Sequence, residues 1–216
     1  MEFIKAYKPA TNSFSSGQVL QEPYTVRKAR VVVREMAESA ALDLLDKRMV
    51  TDQLVLTIGY DTASLSNEDA RTTYKGEVTT DYYGRKVPKH AHGTANLESP
   101  TSSARLISEA VMELFDRIVN PKLLVRRINL TTNHVVDEET AAKNPSPVQY
   151  DLFTDYEALE RKQREEKERL AKERQIQTAI LNIKKQFGKN AILKGLNYEE
   201  GATAKERNEQ IGGHKA

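Results

Sequence analysis

Apolar residues return with two different periods along the first two thirds of the chain, and the longer period marks two helices. In residues 26–45 and again in residues 106–118 they recur every three or four positions, which places them on one side of a helix. We expect Pro100 with Thr101 or Ser102 to cap the second helix, because Ser and Thr side chains accept hydrogen bonds from the free N–H groups of a first turn.

Three other stretches alternate apolar and polar residues with period 2, the pattern of half-buried strands. They are Gln53–Tyr60, Lys89–Leu97 and Leu124–Asn133. Residues 62–87, between the first two, are polar and lack a clear period, which predicts a long loop with a short hairpin around Tyr82–Arg85. Loops of that length inside a domain are uncommon and often functional.

The predicted elements follow the order of a known supersecondary arrangement. With an entry strand near Ser16–Leu20, the order is strand, helix, strand, strand, helix, strand. This split βαβ order is typical of an α+β fold with a four-stranded sheet and both helices on one face. The other face is then uncovered, and the alternation places His, Thr, Asn and Arg side chains on it. A solvent-facing sheet explains that polarity as well as a binding surface does.

The composition excludes several classes of protein. The 216 residues include 33 Lys and Arg against 31 Asp and Glu, a net charge of +2, so any nucleic-acid contact needs local basic strips. No run of about 18 apolar residues predicts a membrane-spanning helix. The N-terminus lacks a secretion signal, and the absence of Cys excludes disulfides and thiol catalysis. A cytoplasmic location is expected.

The sequence carries no recognisable catalytic motif: a phosphate-binding loop, a nucleophile elbow and a zinc-protease helix are all missing. His90 and His92 share one strand face and could form a metal pair, which makes a metal-dependent hydrolase the weakest hypothesis. Because no carboxylate or cysteine pattern accompanies them, we interpret them as ordinary polar-face histidines and expect no metal site.

Binding features are more evident than catalytic ones. Arg126 and Arg127 begin the last predicted strand with Lys122 just before them, and Lys89 leads into the third. Basic side chains interleaved with hydroxyl and amide groups are the chemistry of contacts to a phosphate backbone. A merely solvated charged face is the alternative.

The composition changes after Val136. An acidic, Pro-containing linker leads to Gln149–Phe153, whose adjacent Leu152 and Phe153 suit a short peptide that docks in a partner's pocket, with Gln149 adding a hydrogen bond. Alternatively, these two residues pack on their own domain or staple the next helix. Residues 155–187 then predict a long charged helix stabilised by pairs four residues apart with the acid first.

Several segments together resemble the C-terminal region of Y-family translesion DNA polymerases. The segments similar to the little-finger domain are Ser13–Leu20, Lys89–Thr94 with Pro100–Ser103, and Val125–Leu130. The ending, Phe187–Gly195 and Gly201–Ala216, is similar to the C-terminus of UmuC-type members from Gram-positive bacteria. The family fold has the strand and helix order predicted above.

The resemblance implies that the free sheet face lies on primer–template DNA and contacts its backbone without sequence specificity. Such contact suits a polymerase that must slide past any template, damaged or not. The resemblance assigns seven residues to DNA binding: Ser15, Ser16, Gln18, His92, Thr94, Arg126 and Arg127. The pattern of basic, hydroxyl and amide side chains adds Lys89, Asn129 and Thr131.

The resemblance also implies protein partners. Gln149–Phe153 is similar to the family's sliding-clamp peptide, with Tyr150 in place of the commoner Leu, and Gln149, Leu152 and Phe153 would make the contacts. Whether RecA-like or UmuD-like proteins bind the tail stays open. The alternative hypothesis is a protein-interaction module that acts through the charged helix and the tail, with the sheet as scaffold.

The expected division is a linker from an absent thumb (1–17), the little finger (18–136), a linker with the clamp peptide (137–154), the charged helix (155–188) and a flexible Gly-rich tail (189–216). The parent would be an error-prone polymerase of DNA-damage repair and the SOS response. Because the palm-domain carboxylate motifs are missing, we expect no catalytic residues, no cofactor and no polymerase activity here. Magnesium would belong to the absent palm.

Overall fold

The computed structural model describes residues 12–66, 74–143, 156–211 and 214–215. The strands are β1 (Phe14–Tyr24), β2 (Met49–Tyr60), β3 (Val78–Thr80), β4 (Lys86–Pro88), β5 (Ala91–Thr101), β6 (Val125–Asn133), β7 (Val136–Asp137), β8 (Gln210–Ile211) and β9 (His214–Lys215). The helices are α1 (Val26–Asp46), α2 (Ala104–Ile118), α3 (Glu138–Lys143), α4 (Tyr156–Phe187) and α5 (Ala204–Asn208), with short 3₁₀ turns at Thr62–Leu65 and Gly195–Tyr198.

The main sheet has the order β1-β6-β2-β5, and all its neighbours are antiparallel. The predicted α+β fold and its strand and helix order are therefore confirmed, and the short β7, which pairs with the start of β2, is an addition. The loop between β2 and β5 contains the predicted hairpin, formed by β3 and β4. β1 begins at Phe14, inside the stretch that we assigned to a linker.

α1 and α2 cover one face of the sheet and enclose the core. Thr25 caps α1, but α2 is capped by Ser103, whose Oγ accepts from the N–H of Leu106 at 3.2 Å. The predicted cap at Thr101 or Ser102 was wrong because β5 extends to Thr101. The largest buried core side chains include Leu20, Met36, Leu44, Leu54, Leu56, Ile58, Ile107, Leu114, Phe115, Ile128 and Leu130.

The opposite face of the sheet is exposed or half-buried, and we call it the open face. It consists of the alternate residues of four strands that point away from α1 and α2. They are Ser15, Gly17 and Val19 in β1, Gln53, Val55, Thr57 and Gly59 in β2, His92, Thr94, Asn96 and Glu98 in β5, and Arg127, Asn129, Thr131 and Asn133 in β6.

The long helix α4 packs on the domain through polar contacts. Glu173 accepts hydrogen bonds from the Ser103 hydroxyl at 2.7 Å and from the backbone N–H of Arg105 at 2.8 Å. The buried amide of Gln177 donates to the carbonyl of Ser102 at 3.2 Å. α4 is therefore tied to the N-terminus of α2.

The segment after α4 also folds back, and the expectation of a flexible tail was wrong for it. We call residues 189–211 the C-terminal strap, and they lie against α1. The carboxylate of Glu35, 3% exposed, accepts hydrogen bonds from the backbone N–H groups of Thr203 and Ala204 and from the Asn197 amide at 2.8–3.0 Å. Gly201 adopts φ +95° beside Lys28, where a Cβ would approach the Lys28 Cβ to 2.8 Å.

Candidate nucleic-acid interface

Strand pairing aligns the side chains of the open face in rows that cross the sheet. The two central rows each take one residue from all four strands and are Gly17–Asn129–Thr57–His92 and Ser15–Thr131–Val55–Thr94. Five of the predicted DNA-binding residues, Ser15, His92, Thr94, Asn129 and Thr131, therefore lie together in two adjacent rows.

Hydrogen bonds between neighbouring side chains hold these rows in place. The Ser15 hydroxyl donates to Oδ1 of the Asn129 side chain at 3.1 Å and lies 2.9 Å from the Thr131 hydroxyl. The Thr57 hydroxyl is 2.9 Å from Nδ1 of His92. Because these contacts restrict the rotamers, less conformational entropy is lost when the same groups meet a ligand.

A β-bulge separates the two arginines that the sequence treats as a pair. β6 pairs with its neighbours through Val125 and Arg127, which leaves Arg126 as the extra residue. Arg126 donates to the carbonyl of Gln21 at 2.8 Å, and its Nε lies 3.7 Å from Asp61. Arg127 is exposed on the open face. Of the two, Arg127 is the cation available to a ligand on that face, whereas Arg126 ties β6 to β1 and to the start of the long loop.

Two of the predicted β1 residues point away from the open face. Ser15 belongs to it, but Ser16 and Gln18 alternate to the side of the helices. The side-chain oxygen of Gln18, Oε1, accepts hydrogen bonds from the Thr203 hydroxyl at 3.2 Å and from the Arg207 guanidinium at 3.1 Å, so Gln18 holds the C-terminal strap. Ser16 is exposed, and within the described residues β1 is an edge strand that pairs only with β6.

Lys89 lies outside the open face, in the link between β4 and β5. Its ammonium group is 2.6 Å from Glu77, and its N–H donates to the carbonyl of the same residue at 2.8 Å. Half of its side chain is exposed. The lysine therefore anchors the base of the β3–β4 hairpin and adds charge beside β5.

The tip of that hairpin is more ordered than the sequence prediction of a short hairpin around Tyr82–Arg85 implies. Asp81 accepts from the N–H groups of Tyr83 and Arg85 at 2.9 Å and from the Arg85 Nε at 2.8 Å, while Gly84 adopts φ +79°. This is the geometry of a three-residue hairpin loop with Gly in the left-handed region. It leaves Tyr82 97% exposed and Tyr83 76% exposed.

The segment that forms this sheet matches a known protein family. Residues 11–146 match the model of the impB/mucB/samB family C-terminal domain, a stretch that runs from before β1 to beyond α3. The chain belongs to this family. Its match is that of the C-terminal region of a UmuC-type Y-family polymerase, so the resemblance seen in the sequence is confirmed. Family membership implies DNA as a partner.

The family match covers the whole open face and the hairpin but not α4 or the C-terminal strap. No curated protein matches the chain. The similarity of the last residues to UmuC-type members from Gram-positive bacteria stays a prediction.

The two histidines occupy different positions. His92 is on the open face and contacts Thr57, whereas His90 precedes β5 and is exposed. Within the part of the chain that the structure describes, no group of three or more His, Asp or Glu side chains is placed to hold a metal ion. Among the helices of that same part, none is long and apolar enough to cross a membrane.

Sequence reasoning missed Glu35, the residue that fixes the C-terminal strap. It follows Val32 and Val33 and precedes Met36 on the buried side of α1, so a helical projection would have flagged a carboxylate among apolar positions. The predicted clamp peptide, Gln149–Phe153, lies outside the described residues.

Proposed function

We propose that the open face binds the sugar–phosphate backbone of primer–template DNA without sequence preference and thereby serves a translesion polymerase. The observation that carries this proposal is the pair of central rows, in which hydroxyl, amide and imidazole groups from four strands lie side by side beside the exposed Arg127. Such groups donate hydrogen bonds to phosphate oxygens, and phosphate contacts position a protein without reading sequence.

The shape of the surface favours a backbone contact over base reading. Proteins that read bases in the major groove insert a helix or a two-stranded ribbon, whereas this surface is a sheet four strands wide. Its amides are also engaged with neighbours: Gln53 donates to Asn96 at 3.0 Å and accepts from Asn133 at 3.1 Å. A broad surface with internally hydrogen-bonded side chains suits the DNA backbone, which presents the same phosphate group at every nucleotide.

The charge of the chain sets the strength of this contact. With a net charge of +2 and one arginine on the open face, the number of phosphates neutralised is small. We expect a dissociation constant in the micromolar range at low salt, of the order seen for non-specific binding. In this proposal the chain binds DNA, and other parts of the polymerase catalyse nucleotide incorporation.

A fluorescence-anisotropy titration of a labelled primer–template duplex at several salt concentrations tests this function. The variant Arg127→Ala should weaken binding equally for duplexes of different sequence and lower the salt slope by about 1. Arg126→Ala is the matched control, because its guanidinium is tied to Gln21 and Asp61, and its salt slope should stay near that of the wild type. Absence of binding at low salt, or identical slopes for wild type and Arg127→Ala, would overturn the proposal.

A second part of the proposal concerns the clamp. Gln149–Phe153 carries the residues of a clamp-docking peptide, and it follows the domain through α3 (Glu138–Lys143). A docked peptide would hold the DNA-binding domain near the primer terminus and raise its effective concentration there. The DNA and clamp contacts use separate residues, so each can be removed alone.

A further inference from the structure

The β3–β4 hairpin presents two aromatic rings to solvent on a stiff turn. The rings of Tyr82 and Tyr83 are 5.5 Å apart at 86°, and the guanidinium of Arg85 lies 5.2 Å from the Tyr83 ring centroid. Contiguous exposed apolar groups with polar neighbours mark interaction sites, unlike single scattered ones, and here the backbone of the turn holds the two rings side by side. An aromatic pair of this kind indicates a contact site.

The turn is rigid because several bonds converge on Asp81. Besides its three side-chain hydrogen bonds, its own N–H donates to the carbonyl of Arg85 at 2.9 Å, and the N–H of Gly84 donates to its carbonyl at 3.0 Å. The hydrogen bond to Arg85 also holds the pKa of Asp81 below its usual value, so the carboxylate keeps its charge, and the turn keeps these hydrogen bonds, further into acid than an ordinary aspartate would.

The hairpin is joined directly to an edge strand of the open face. β4 ends at Pro88 and β5, with its open-face residue His92, begins at Ala91, so two residues link the hairpin to that strand. β5 is the outer strand of the main sheet on that side, so the hairpin continues from the β5 edge of the open face.

Cations accompany the rings. On the hairpin and its base Arg85 pairs with Asp81 and Lys89 pairs with Glu77, whereas the ammonium group of Lys86 donates to the Thr80 hydroxyl at 2.9 Å and has no carboxylate partner among the described residues. Aromatic faces beside cations are the chemistry of single-stranded nucleic-acid contacts, since every base has a face to stack and every nucleotide a phosphate.

We propose that Tyr82 and Tyr83 form a stacking platform for an unpaired base of the DNA whose duplex part lies on the open face. This inference rests on the proposed function, because it places the duplex on the open face. Tyr82, with nearly its whole ring exposed, receives the base. Arg85 covers part of the Tyr83 ring, and Tyr83 supports Tyr82 edge to face.

The test compares two DNA probes that share one duplex. One is blunt, and the other carries a five-nucleotide single-stranded template overhang with 2-aminopurine as its first unpaired base. The wild-type chain should bind the overhang probe about 5- to 150-fold more tightly, the range of one stacked base, and should quench the 2-aminopurine fluorescence.

Variants of the full chain locate the platform. Tyr82→Leu with Tyr83→Leu should lose the overhang preference and the quenching while it binds the blunt duplex as the wild type does. The double Phe variant, which keeps both rings, should retain both signals. Tyr198→Leu, at a tyrosine 70% exposed in the C-terminal strap, is the control for loss of a surface ring elsewhere.

The outcomes separate the two proposals. If wild type binds both probes equally, or if the double Leu variant keeps the overhang preference, the platform is overturned and the open-face function stands. A protein partner would then be the occupant left for the tyrosine pair. If neither probe binds at low salt, the proposed function fails and the platform fails with it.

Discussion

The carboxylate of Glu35 in α1 accepts a hydrogen bond of 2.8 Å from the backbone N–H of Thr203, which is 168 residues further along the chain. Together with the bonds from Ala204 and Asn197, this contact fastens the C-terminal strap to the helix layer. A buried carboxylate is costly unless donors surround it, and here two backbone N–H groups at the start of α5 and one amide do so. The strap is therefore part of the folded domain.

Glu35→Ala should release the strap while the sheet stays folded. Loss of the acceptor leaves donors unpaired in a buried position, which costs about 3 kcal/mol of local stability. Hydrogen exchange should show faster exchange at Thr203 and Ala204, with protection in β2 and β6 unchanged. Glu38→Ala is the control, because its partner Lys194, at 3.0 Å, lies on the surface and contributes about 1 kcal/mol or less. Unchanged exchange at both amides in Glu35→Ala would contradict this account.

Gly93 in β5 should be intolerant of a side chain because α2 lies close to it. A Cβ there would approach the Cδ1 of Leu114 to 2.8 Å and the Cγ2 of Ile118 to 2.9 Å. Overpacking by one methyl group predicts a loss of about 1–3 kcal/mol for Gly93→Ala in urea unfolding. Leu114→Ala should cost about 2–5 kcal/mol by itself, since this residue is 1% exposed in the core.

The double variant, Gly93→Ala with Leu114→Ala, checks the contact directly. Leu114→Ala opens the space that the added methyl group of Gly93→Ala needs, so the two single losses should sum to more than the loss in the double variant. Additive losses would show that Leu114 is not the side chain that Gly93 accommodates.

Leu152→Ala with Phe153→Ala should abolish retention of the chain on an immobilised bacterial sliding clamp. The same variant should bind a primer–template duplex like the wild type, because the proposed DNA contacts come from other residues, those of the open face. Tyr150→Leu is the matched change in the opposite direction, and it should strengthen retention because it restores the commoner residue of the peptide. Retention of the double Ala variant would assign clamp contact to another segment.

The ion pair between α1 and α2 predicts a pH-dependent contribution to stability. Arg30 donates to Asp116 at 3.0 and 2.9 Å, and this hydrogen bond, with the charge of Arg30, holds the pKa of Asp116 below its usual value of 3.8. A lowered pKa in the folded state means that the stabilisation is present above about pH 4 and is lost as the pH falls. Because both side chains are half exposed, its size is about 1 kcal/mol at most.

Asp116→Asn should therefore lower the free energy of unfolding by about 0.5–1 kcal/mol at neutral pH and by almost nothing in acid, once Asp116 is protonated in the folded state as well. Urea unfolding at several pH values measures the difference. A difference between wild type and variant that grows toward acid pH would contradict the sign. Arg34→Gln is a control at a neighbouring arginine of α1, which forms a longer ion pair with Glu38 at 3.9 Å.

Much of the open face was readable from the chain because strand alternation is a local property. Once β5 and β6 are strands, His92, Thr94, Asn129 and Thr131 must share faces with their second neighbours. The residues that alternate with these four are apolar or small, and they mark the face of the sheet that α1 and α2 cover.

Two of the predicted binding residues, Arg126 and Gln18, lie off the open face for a reason that spacing cannot reveal. Arg126 was grouped with Arg127, but a bulge in β6 adds one residue and redirects it toward Gln21. Gln18 was grouped with Ser15, although it lies on the other side of β1 and contacts a strap from the far end of the chain. A bulge and a contact across 185 residues depend on the assembled partners and leave no periodic signal.

Local sequence pattern predicts the order of elements, the polar character of one sheet face and the resemblance to a family, because periodicity and motif are properties of neighbouring residues. The availability of each cation, the docking of the last segment on Glu35 and the exposure of Tyr82 and Tyr83 on a stiff turn emerge when the chain is packed. Those outcomes depend on which partner each polar group finds, and partners distant in the chain meet only when the layers pack.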